Sequence, residues 1–224
     1  MLSYNEILGL QTVLPRIQKN WVDEIIIVDG GSTDGSIEYA ESMGFFVLRQ
    51  KRLPEDSTAW GSGIVEGYRQ GLARATGDYI INFTPDNNCI PEVIPRLVAK
   101  IKEGYDMVIA SRYLGDAKSQ DDTFVTAFGN WFFTTLVNVL FRSHYTDVLG
   151  FYRAYRKNLT QELGIDIRLS VSTQQCIRCK KKNIRVTEIP ADEPSHIGGK
   201  SSRSILKNGF IELKTIFEEF FSGS

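Results

Sequence analysis

A run of four β-branched residues, Ile25 to Val28, ends abruptly at Asp29 and two glycines. Such a continuous run is typical of a strand that is buried on both faces of a parallel sheet. Ser32 to Asp34 then supply polar side chains that can cap a following helix. Ligands of open α/β sheets bind at the carboxyl ends of the strands, so Asp29 is predicted to face a binding crevice. A tight strand-to-helix turn without a ligand is the alternative.

A second acidic turn follows another apolar run further along the chain. Tyr79 to Phe83 is typical of a strand, and it continues directly into Thr84-Pro85-Asp86-Asn87-Asn88. Two such turns on parallel strands face the same crevice, where a hard divalent cation would bridge Asp86 to a nucleotide diphosphate. The alternative role for Asp86 is that of a turn residue or a helix cap.

Strand and helix patterns alternate along much of the chain. The predicted strands cover residues 25–28, 45–48, 79–83, 107–110 and 184–188. Amphipathic helices between them predict an α/β fold with a mostly parallel, Rossmann-like sheet that is flanked by helices. The segment from Ile7 to Trp21 has helical spacing, but no strand pattern precedes it. The first strand of the sheet is therefore expected to be missing.

Charge and cysteine content exclude several classes of function. The chain has 224 residues, enough for one large domain, and its formal net charge of −1 gives no basic field that favours nucleic acid. Three cysteines are few and odd in number, which argues against a disulfide framework and favours a reducing compartment. Cys176 and Cys179 form a lone C-x-x-C and are interpreted as incidental thiols, because a zinc site needs more ligands at a fitting spacing.

The second half of the chain contains a long apolar segment, a long loop and an amphipathic end. Phe124 to Phe141 is rich in aromatic residues, but Asn130 and Asn138 interrupt it, so a buried or interfacial helix is predicted rather than a membrane span. Pro190 to Arg203 is predicted to be a lid over an anion, with solvated surface as the alternative. The last helix carries an apolar stripe that suits docking onto the domain, a partner or a membrane face.

Short motifs occur in a fixed order along nearly the whole chain. They are Tyr4-Asn5-Glu6, Val28 to Gly35, Gly61-Ser62-Gly63, Ala75 to Tyr79, Ala110 to Tyr113, Gly129-Asn130, Thr146-Asp147 and Phe151 to Arg156. In this order they resemble the family-2 inverting glycosyltransferases of the GT-A fold. The motifs from Ala110 onward are similar to the branch that transfers sugars to dolichyl or polyprenyl phosphate.

The resemblance implies a nucleoside diphosphate sugar as donor. The positions that match the donor site are Tyr4, Glu6, Asp29, Gly31, Ser32, Asp34, Gly61, Gly63, Asp86, Lys200, Ser202 and Arg203. Asp86 matches the second aspartate of the family's D-x-D metal motif, and with Asn88 it implies Mg²⁺ or Mn²⁺ as the cofactor. Catalytic roles are implied for Asp86 and for three residues near the acceptor phosphate, namely Arg112, Asp147 and Arg153. Leaving-group catalysis of this kind needs a cation and basic side chains on the departing diphosphate.

Several residues depart from the family pattern. Gly30 stands where the family usually has the second of two paired aspartates, and Thr84 stands where it has the first aspartate of D-x-D. Gln174 lies near the position of a carboxylate that other members carry. A hydroxyl acceptor needs a general base, whereas a phosphate acceptor is already an anion, so a lipid phosphate is favoured. Three residues remain possible general bases for a hydroxyl acceptor, namely Asp121, Asp122 and Asp147.

These observations predict one GT-A domain that transfers a sugar from a UDP- or GDP-sugar to a polyprenyl phosphate, with a soluble sugar as the other acceptor. Residues 1–115 are expected to form the donor half, 116–203 the acceptor half with its lid, and 204–224 the C-terminal amphipathic helix. The expected location is cytoplasmic, with peripheral contact at the inner face of the membrane left open. The rival functions are a sugar-nucleotide nucleotidyltransferase and a catalytically impaired nucleotide-binding module.

Overall fold

The computed structural model describes residues 1–51, 62–166, 168–198 and 205–222. Four of the residues predicted for the donor site, Gly61, Lys200, Ser202 and Arg203, lie outside the described residues. Gly63 lies within the first helical turn after the first gap.

Two groups of strands form the centre of the fold. The strands are β1 (Leu2–Ser3), β2 (Ile26–Asp29), β3 (Phe46–Arg49), β4 (Tyr79–Asn82), β5 (Met107–Ser111), β6 (Arg153–Arg156) and β7 (Val186–Pro190). The first group has the order β1-β2-β3 and is entirely parallel, while the second has the order β4-β6-β5-β7. Strand β6 runs antiparallel to both of its neighbours, and β5 and β7 are parallel. The mostly parallel sheet predicted from the sequence is therefore confirmed.

Helices flank the strands as the alternating pattern predicts. They are α1 (Ile7–Val13), α2 (Ser36–Ser42), α3 (Ser62–Arg74), α4 (Ile94–Lys102), α5 (Phe124–Phe141), α6 (Leu159–Leu163), α7 (Val171–Lys181) and α8 (Ile205–Phe221). The last four residues of the motif Phe151 to Arg156 form strand β6, and Asp147 lies in a turn before it, where its Oδ1 accepts from Gly150 N.

The expectation that the first strand is missing is wrong. Leu2 and Ser3 pair in parallel with Val28 and Asp29. Met1 extends this pairing, since its carbonyl accepts from Val28 N (2.8 Å), and Leu2 N donates across to the carbonyl of Phe83 at the end of β4 (3.3 Å). Two residues are too short to show a strand pattern, but they place backbone partners between the two groups of strands.

Apolar residues fill both faces of the sheet. Strand β5 shows this most clearly, because Val108 and Ala110 belong to one buried cluster and Met107 and Ile109 to the other. The first cluster packs under helices α1 and α4, and the second packs under α5, α7 and α8. The continuous apolar run of this strand is thus buried on both sides, as such runs are in parallel sheets.

Gly9 allows α1 to lie directly against the second acidic turn. A Cβ atom at this position would lie 1.9 Å from the carbonyl oxygen of Pro85 and 3.3 Å from the Cα atom of Asp86. Any larger side chain must push the helix and the turn apart, so the position of Asp86 depends on this glycine.

We expect Gly9→Ala to lower the free energy of unfolding by about 1–3 kcal/mol, the usual cost of overpacking a core. Gly129→Ala is the matched control, because no atom lies within 4 Å of its Cβ position in helix α5. Alanine there should be neutral or stabilising by up to about 1 kcal/mol, the helix-propensity difference from glycine. Urea denaturation of both variants measures the difference. Equal stability of Gly9→Ala and the wild type would contradict the close approach.

Candidate active site

The carboxyl ends of β1, β2, β4 and β5 carry most of the residues predicted for the site. Tyr4 and Glu6 follow β1, Asp29 ends β2, Asp86 follows β4 and Arg112 follows β5. Parallel strands present these ends at one edge of a sheet, where open α/β folds bind their ligands. The sheet order therefore brings the predicted donor and metal residues to a common edge.

Asp29 organises the first turn from within. Its Oδ1 accepts hydrogen bonds from the backbone N–H groups of Gly31 (2.8 Å) and Ser32 (2.7 Å), and its Oδ2 accepts from the hydroxyl of Ser32 (2.6 Å). The side chain is almost completely buried. A carboxylate has about four acceptor positions, so most of the capacity of Asp29 is used by its own loop.

The loops after β1 and β2 are joined by side-chain to backbone hydrogen bonds. Ser32 Oγ accepts from Asn5 N (2.8 Å), and Asn5 Oδ1 accepts from Thr33 N (2.8 Å). Asp34 Oδ2 accepts from Ile7 N (3.1 Å) at the start of α1. A carboxylate is favoured at a helix N-terminus, so Asp34 holds the helix and the loop together. Tyr4 is exposed and its ring lies over Gly30.

Asp86 is fixed in the second turn with one oxygen atom facing a histidine. Its Oδ1 accepts from the hydroxyl of Thr84 (2.8 Å) and from the backbone N–H of Asn88 (3.2 Å). Its Oδ2 lies 3.8 Å from Nδ1 of His196. Thr84, which replaces an aspartate of the family motif, thus orients Asp86 rather than adding a second carboxylate.

His196 is a candidate site residue that the sequence prediction missed. Its segment crosses the second turn, because Ile197 N donates to the carbonyl of Asp86 (2.9 Å) and the side chain of Asn87 donates to the carbonyl of Ser195 (3.0 Å). The chain has only two histidines, and this one lies in the loop predicted to close on an anion. Its place in that loop was the available signal, but only the fold shows that it faces Asp86.

Glu6 completes an acidic group beside this histidine. Its Oε2 is buried and has no hydrogen-bond partner among the described residues. Burial, followed by the nearby charge of Asp86, raises the pKa of Glu6 to about 7; Asp34 adds a smaller upward contribution and His196 opposes the shift. An unpaired carboxylate oxygen beside Asp86 and His196 suits a cation, since hard divalent ions prefer oxygen ligands. Within the described ranges, no group of three or more His, Cys, Asp or Glu side chains is placed to hold a metal ion.

Arg112 and Asp147 form an ion pair between the end of β5 and the turn before β6. Arg112 donates from Nε to Asp147 Oδ2 (2.7 Å) and from Nη2 to Oδ1 (2.9 Å). Asp147 is fully buried and also accepts from Gly150 N (2.9 Å). Asp147 is therefore committed to structural bonds, although the sequence left it open as a base.

Arg153 lies behind this pair and does not reach the crevice. It is fully buried on β6, where Nη1 donates to the carbonyl of Ser172 (3.1 Å) and to Gln175 Oε1 (3.2 Å). Its Nη2 donates to the carbonyl of Gly150. Because Gly150 in turn donates to Asp147, Arg153 supports the turn that orients Arg112. Gln174 is also buried, and its amide bonds to the backbone of Asp166.

A pocket of about 380 Å³ opens beside Arg112. It is lined by Arg112, Tyr113, Ala117, Lys118, Ser119, Asp122, Thr123, Phe124 and Ala127. Thr123 caps helix α5 at this point, and the first turn of the helix contributes the positive end of its dipole. The pocket thus combines two basic side chains with the start of an apolar helix.

Helices α5 and α8 pack side by side, and both expose large apolar side chains. The residues of this α5–α8 surface are Phe124, Val125, Phe128, Trp131, Phe132, Val139, Ile205, Leu206, Phe210, Phe217, Phe220 and Phe221. Helix α5 is long and apolar enough to cross a membrane by length and composition alone, which is weak evidence, and only 17% of it is buried. Of the two predictions for this helix, the buried one is wrong and the interfacial one remains.

Solved structures show the class of fold to which this arrangement corresponds. Glucosyl-3-phosphoglycerate synthase from Mycobacterium tuberculosis, in complex with Mn²⁺, UDP and glucosyl-3-phosphoglycerate, matches with a TM-score of 0.69 and 17% identity over 100% of this chain and 78% of that chain. The same enzyme with Mn²⁺, UDP and phosphoglyceric acid matches with a TM-score of 0.70 and 18% identity over 98% and 76%. The GT-A fold predicted from the sequence is confirmed.

The family follows from the sequence match. The model described as Glycosyl transferase family 2 matches residues 1–164, and the chain belongs to that family. Glycosyltransferase AglJ of Haloferax volcanii is 25% identical over an alignment of 236 positions, which covers 99% of this chain and 73% of the relative. An undecaprenyl-phosphate mannosyltransferase of Micrococcus luteus is 26% identical over 198 residues, which cover 84% of this chain and 79% of the relative. The predicted resemblance is confirmed.

The raised pKa of Glu6 predicts how stability depends on pH in protein treated with a chelator. The folded chain holds the Glu6 proton up to about pH 7, whereas the unfolded chain releases it near 4.5, so folding loses stability as the pH rises between these values. Glu6→Gln should therefore raise the melting temperature relative to wild type at pH 8 and not at pH 4. Thermal melts at the two pH values test this. The same difference at both would contradict an unfavourable buried charge at Glu6.

Proposed function

We propose that this protein transfers a sugar, with inversion, from a nucleoside diphosphate sugar to the phosphate of a polyprenyl lipid at a membrane surface. The observation that carries the proposal is the pocket beside Arg112, because it lies at the start of an exposed aromatic helix. A phosphate group in the pocket would meet Arg112 and Lys118. The prenyl chain would leave the pocket along Phe124 and the α5–α8 surface.

The donor is proposed to lie along the carboxyl edge of the sheet. Tyr4 is exposed where a base can stack on it, and the turn from Asp29 to Ser32 gives the diphosphate a backbone to approach. Gly61, Lys200, Ser202 and Arg203 remain proposed members of the donor site on the basis of the sequence resemblance alone. The solved relatives bind UDP, which supports a donor of this chemical class.

Asp86 and His196 are proposed to hold Mg²⁺ or Mn²⁺ together with oxygen atoms of the donor. Asp86 Oδ2 faces the histidine, and the unpaired Oε2 of Glu6 adds negative charge nearby. Asn88 stays a proposed ligand, and its backbone N–H already fixes Asp86 Oδ1. The ion, when bound, would neutralise charge on the departing diphosphate.

Hydrogen bonding on the acceptor side favours a phosphate over a hydroxyl as the nucleophile. Asp147 is bound by Arg112 and Gly150, the hydroxyl of Tyr113 donates to Asp122, and His196 N donates to Asp121 Oδ1 (3.0 Å). Each carboxylate that the sequence left open as a base therefore has a partner. A phosphate oxygen is already anionic and can attack without losing a proton to a base. Arg112 would hold that phosphate in position for attack on the sugar. Holding two reactants in the right orientation lowers the barrier of the reaction.

The division of the chain into parts is proposed on the same basis. Residues 1–115 supply the turns of the donor side together with Arg112 and Tyr113, and 116–203 supply the rest of the pocket wall and the segment that carries His196. Residues 204–224 supply helix α8, whose exposed Leu206, Phe210 and Phe217 suit the apolar side of a lipid surface. Peripheral contact of the α5–α8 surface with a membrane explains why so many aromatic side chains are exposed.

The proposal is tested by assaying sugar transfer from radiolabelled UDP- and GDP-sugars with Mn²⁺. The acceptors are undecaprenyl phosphate in anionic vesicles, free glucose and phosphoglyceric acid. Label in the lipid fraction supports the proposal. Transfer to a soluble acceptor and none to lipid would overturn the acceptor, and pyrophosphate release from a nucleoside triphosphate with a sugar phosphate would show a nucleotidyltransferase.

We expect Asp86→Ala to lower kcat/KM by about 10²–10³-fold, because it removes charge stabilisation of the leaving diphosphate. His196→Ala should lower it by a smaller factor, about 10–100-fold. Asp166→Ala is the control, since its carboxylate pairs with the exposed Arg168. Steady-state kinetics at saturating Mn²⁺ measure the effect. Unchanged activity in Asp86→Ala would remove Asp86 from the site.

We expect Trp131→Glu to release the protein from vesicles of anionic phospholipid without lowering its melting temperature. Trp131 is 60% exposed on α5, so a charge there costs little in water and opposes burial in lipid. Phe46→Glu is the control, because Phe46 is exposed on strand β3, on the donor side of the fold. Co-sedimentation with the vesicles reports binding. Equal binding of both variants and wild type would contradict a lipid contact at α5.

A further inference from the structure

The guanidinium of Arg112 has two different partners. Asp147 takes the Nε and Nη2 groups through short bonds, whereas Nη1 lies 3.3 Å from Oε2 of Glu193. Nη1 thus makes no hydrogen bond to Asp147 and is the guanidinium nitrogen that can bind another anion. Glu193 fills this edge with a longer and weaker contact than those of Asp147.

The same carboxylate oxygen holds a second donor of the pocket wall. The hydroxyl of Ser119 donates to Glu193 Oε2, and Ser119 lines the pocket together with Arg112. One carboxylate oxygen therefore engages both an arginine N–H and a hydroxyl at the position where the proposed function needs an anion. The Glu193 side chain is mostly buried, so bulk water screens its negative charge only weakly.

We propose that Glu193 is an internal substitute for the acceptor phosphate, which it holds out of the pocket until a stronger anion displaces it. The inference rests on the proposed function. Two acidic partners on one arginine leave that arginine poorly suited to attract a further anion while both stay in place. A phosphate carries more charge than a carboxylate and makes stronger charge-assisted bonds to arginine, so it can displace Glu193 where a neutral hydroxyl cannot.

Glu193 also lies on the segment that reaches the second acidic turn. Its backbone N–H donates to the carbonyl of Lys118 (2.9 Å), and its carbonyl accepts from Gln120 N (2.7 Å). Three residues later the segment presents His196, and Ile197 N bonds the carbonyl of Asp86. Displacement of the Glu193 side chain by an acceptor would leave these backbone bonds intact, so the exchange needs only a side-chain rotation. Glu193 is therefore a determinant of acceptor specificity rather than part of the scaffold.

The test compares wild type with Glu193→Gln, which keeps the shape and an acceptor oxygen but removes the charge. Asp192→Asn is the matched control, because it removes a charge from the residue next to Glu193. Asp192 Oδ1 accepts from Lys118 N (2.9 Å) and not from Arg112. Farnesyl phosphate and inorganic phosphate are titrated into each protein by calorimetry. Glu193→Gln should bind both about three- to tenfold more tightly, the range that removal of one competing charge contact gives. Asp192→Asn should stay within about twofold of wild type.

Transfer kinetics give the second readout. In Glu193→Gln the KM for the lipid phosphate should fall while the KM for the donor stays constant, whereas a purely structural role would raise the KM for the acceptor or lower the melting temperature. Tight binding to wild type with no gain in Glu193→Gln would overturn the inference and leave the proposed function standing. Absence of phosphate binding in all three proteins would overturn both.

Discussion

The ion pair between Arg112 and Asp147 positions the wall of the pocket beside it. Asp147 lies in a turn before β6, and Arg112 follows β5, so the pair ties two strand ends together. Glu188 on β7 extends the tie, because its carboxylate accepts from the backbone N–H of Thr146 (2.8 Å). A fully buried carboxylate without its cation would cost about 3–5 kcal/mol. Charged side chains therefore add to the backbone pairing and the apolar packing that hold β5, β6 and β7 together.

The turns after β1 and β2 are held together by hydrogen bonds from neutral backbone N–H groups to carboxylates. Asp29 and Asp34 accept N–H groups from their own loop and from the start of α1, so two loops and a helix share one set of hydrogen bonds. The segment from Asp192 to Ile197 then connects the donor side with the acceptor side through Asp86 and Asp121. Both sites therefore bond to the backbone of this one segment.

Much of the fold was predictable from the sequence, because the signals were long and local. The strands at Ile26 and Met107 are continuous apolar runs, and α5 begins and ends at the residues where its pattern does. Strand β1 was not predictable, since two residues cannot show a period. The antiparallel direction of β6 was also hidden, because a short strand has the same composition in either direction.

The site was predictable only as a set of residue types. The sequence indicates that Asp86 and Arg112 carry chemistry, but it does not show that His196 faces Asp86 from more than a hundred positions away in the chain. Arg153 has the same charge as Arg112 and also lies in a motif that matches the family, yet alternation along β6 turns it toward α7 and away from the crevice. The sequence does not indicate a role for Glu193, because its partners Arg112 and Ser119 lie in a distant part of the chain. Contacts between distant segments are what a single sequence leaves out.

The cysteines have a practical consequence for following this protein in solution. Cys89, Cys176 and Cys179 are all buried and unpaired, as expected from their low number. Burial raises the pKa of the Cys89 thiol to about 12 and that of Cys176 to about 11, and it also raises the pKa of Cys179, so thiolate is scarce at neutral pH. A cysteine introduced on the surface would therefore react selectively with a maleimide dye. The native chain is already a suitable background for fluorescence probes at the α5–α8 surface, with no thiol to remove first.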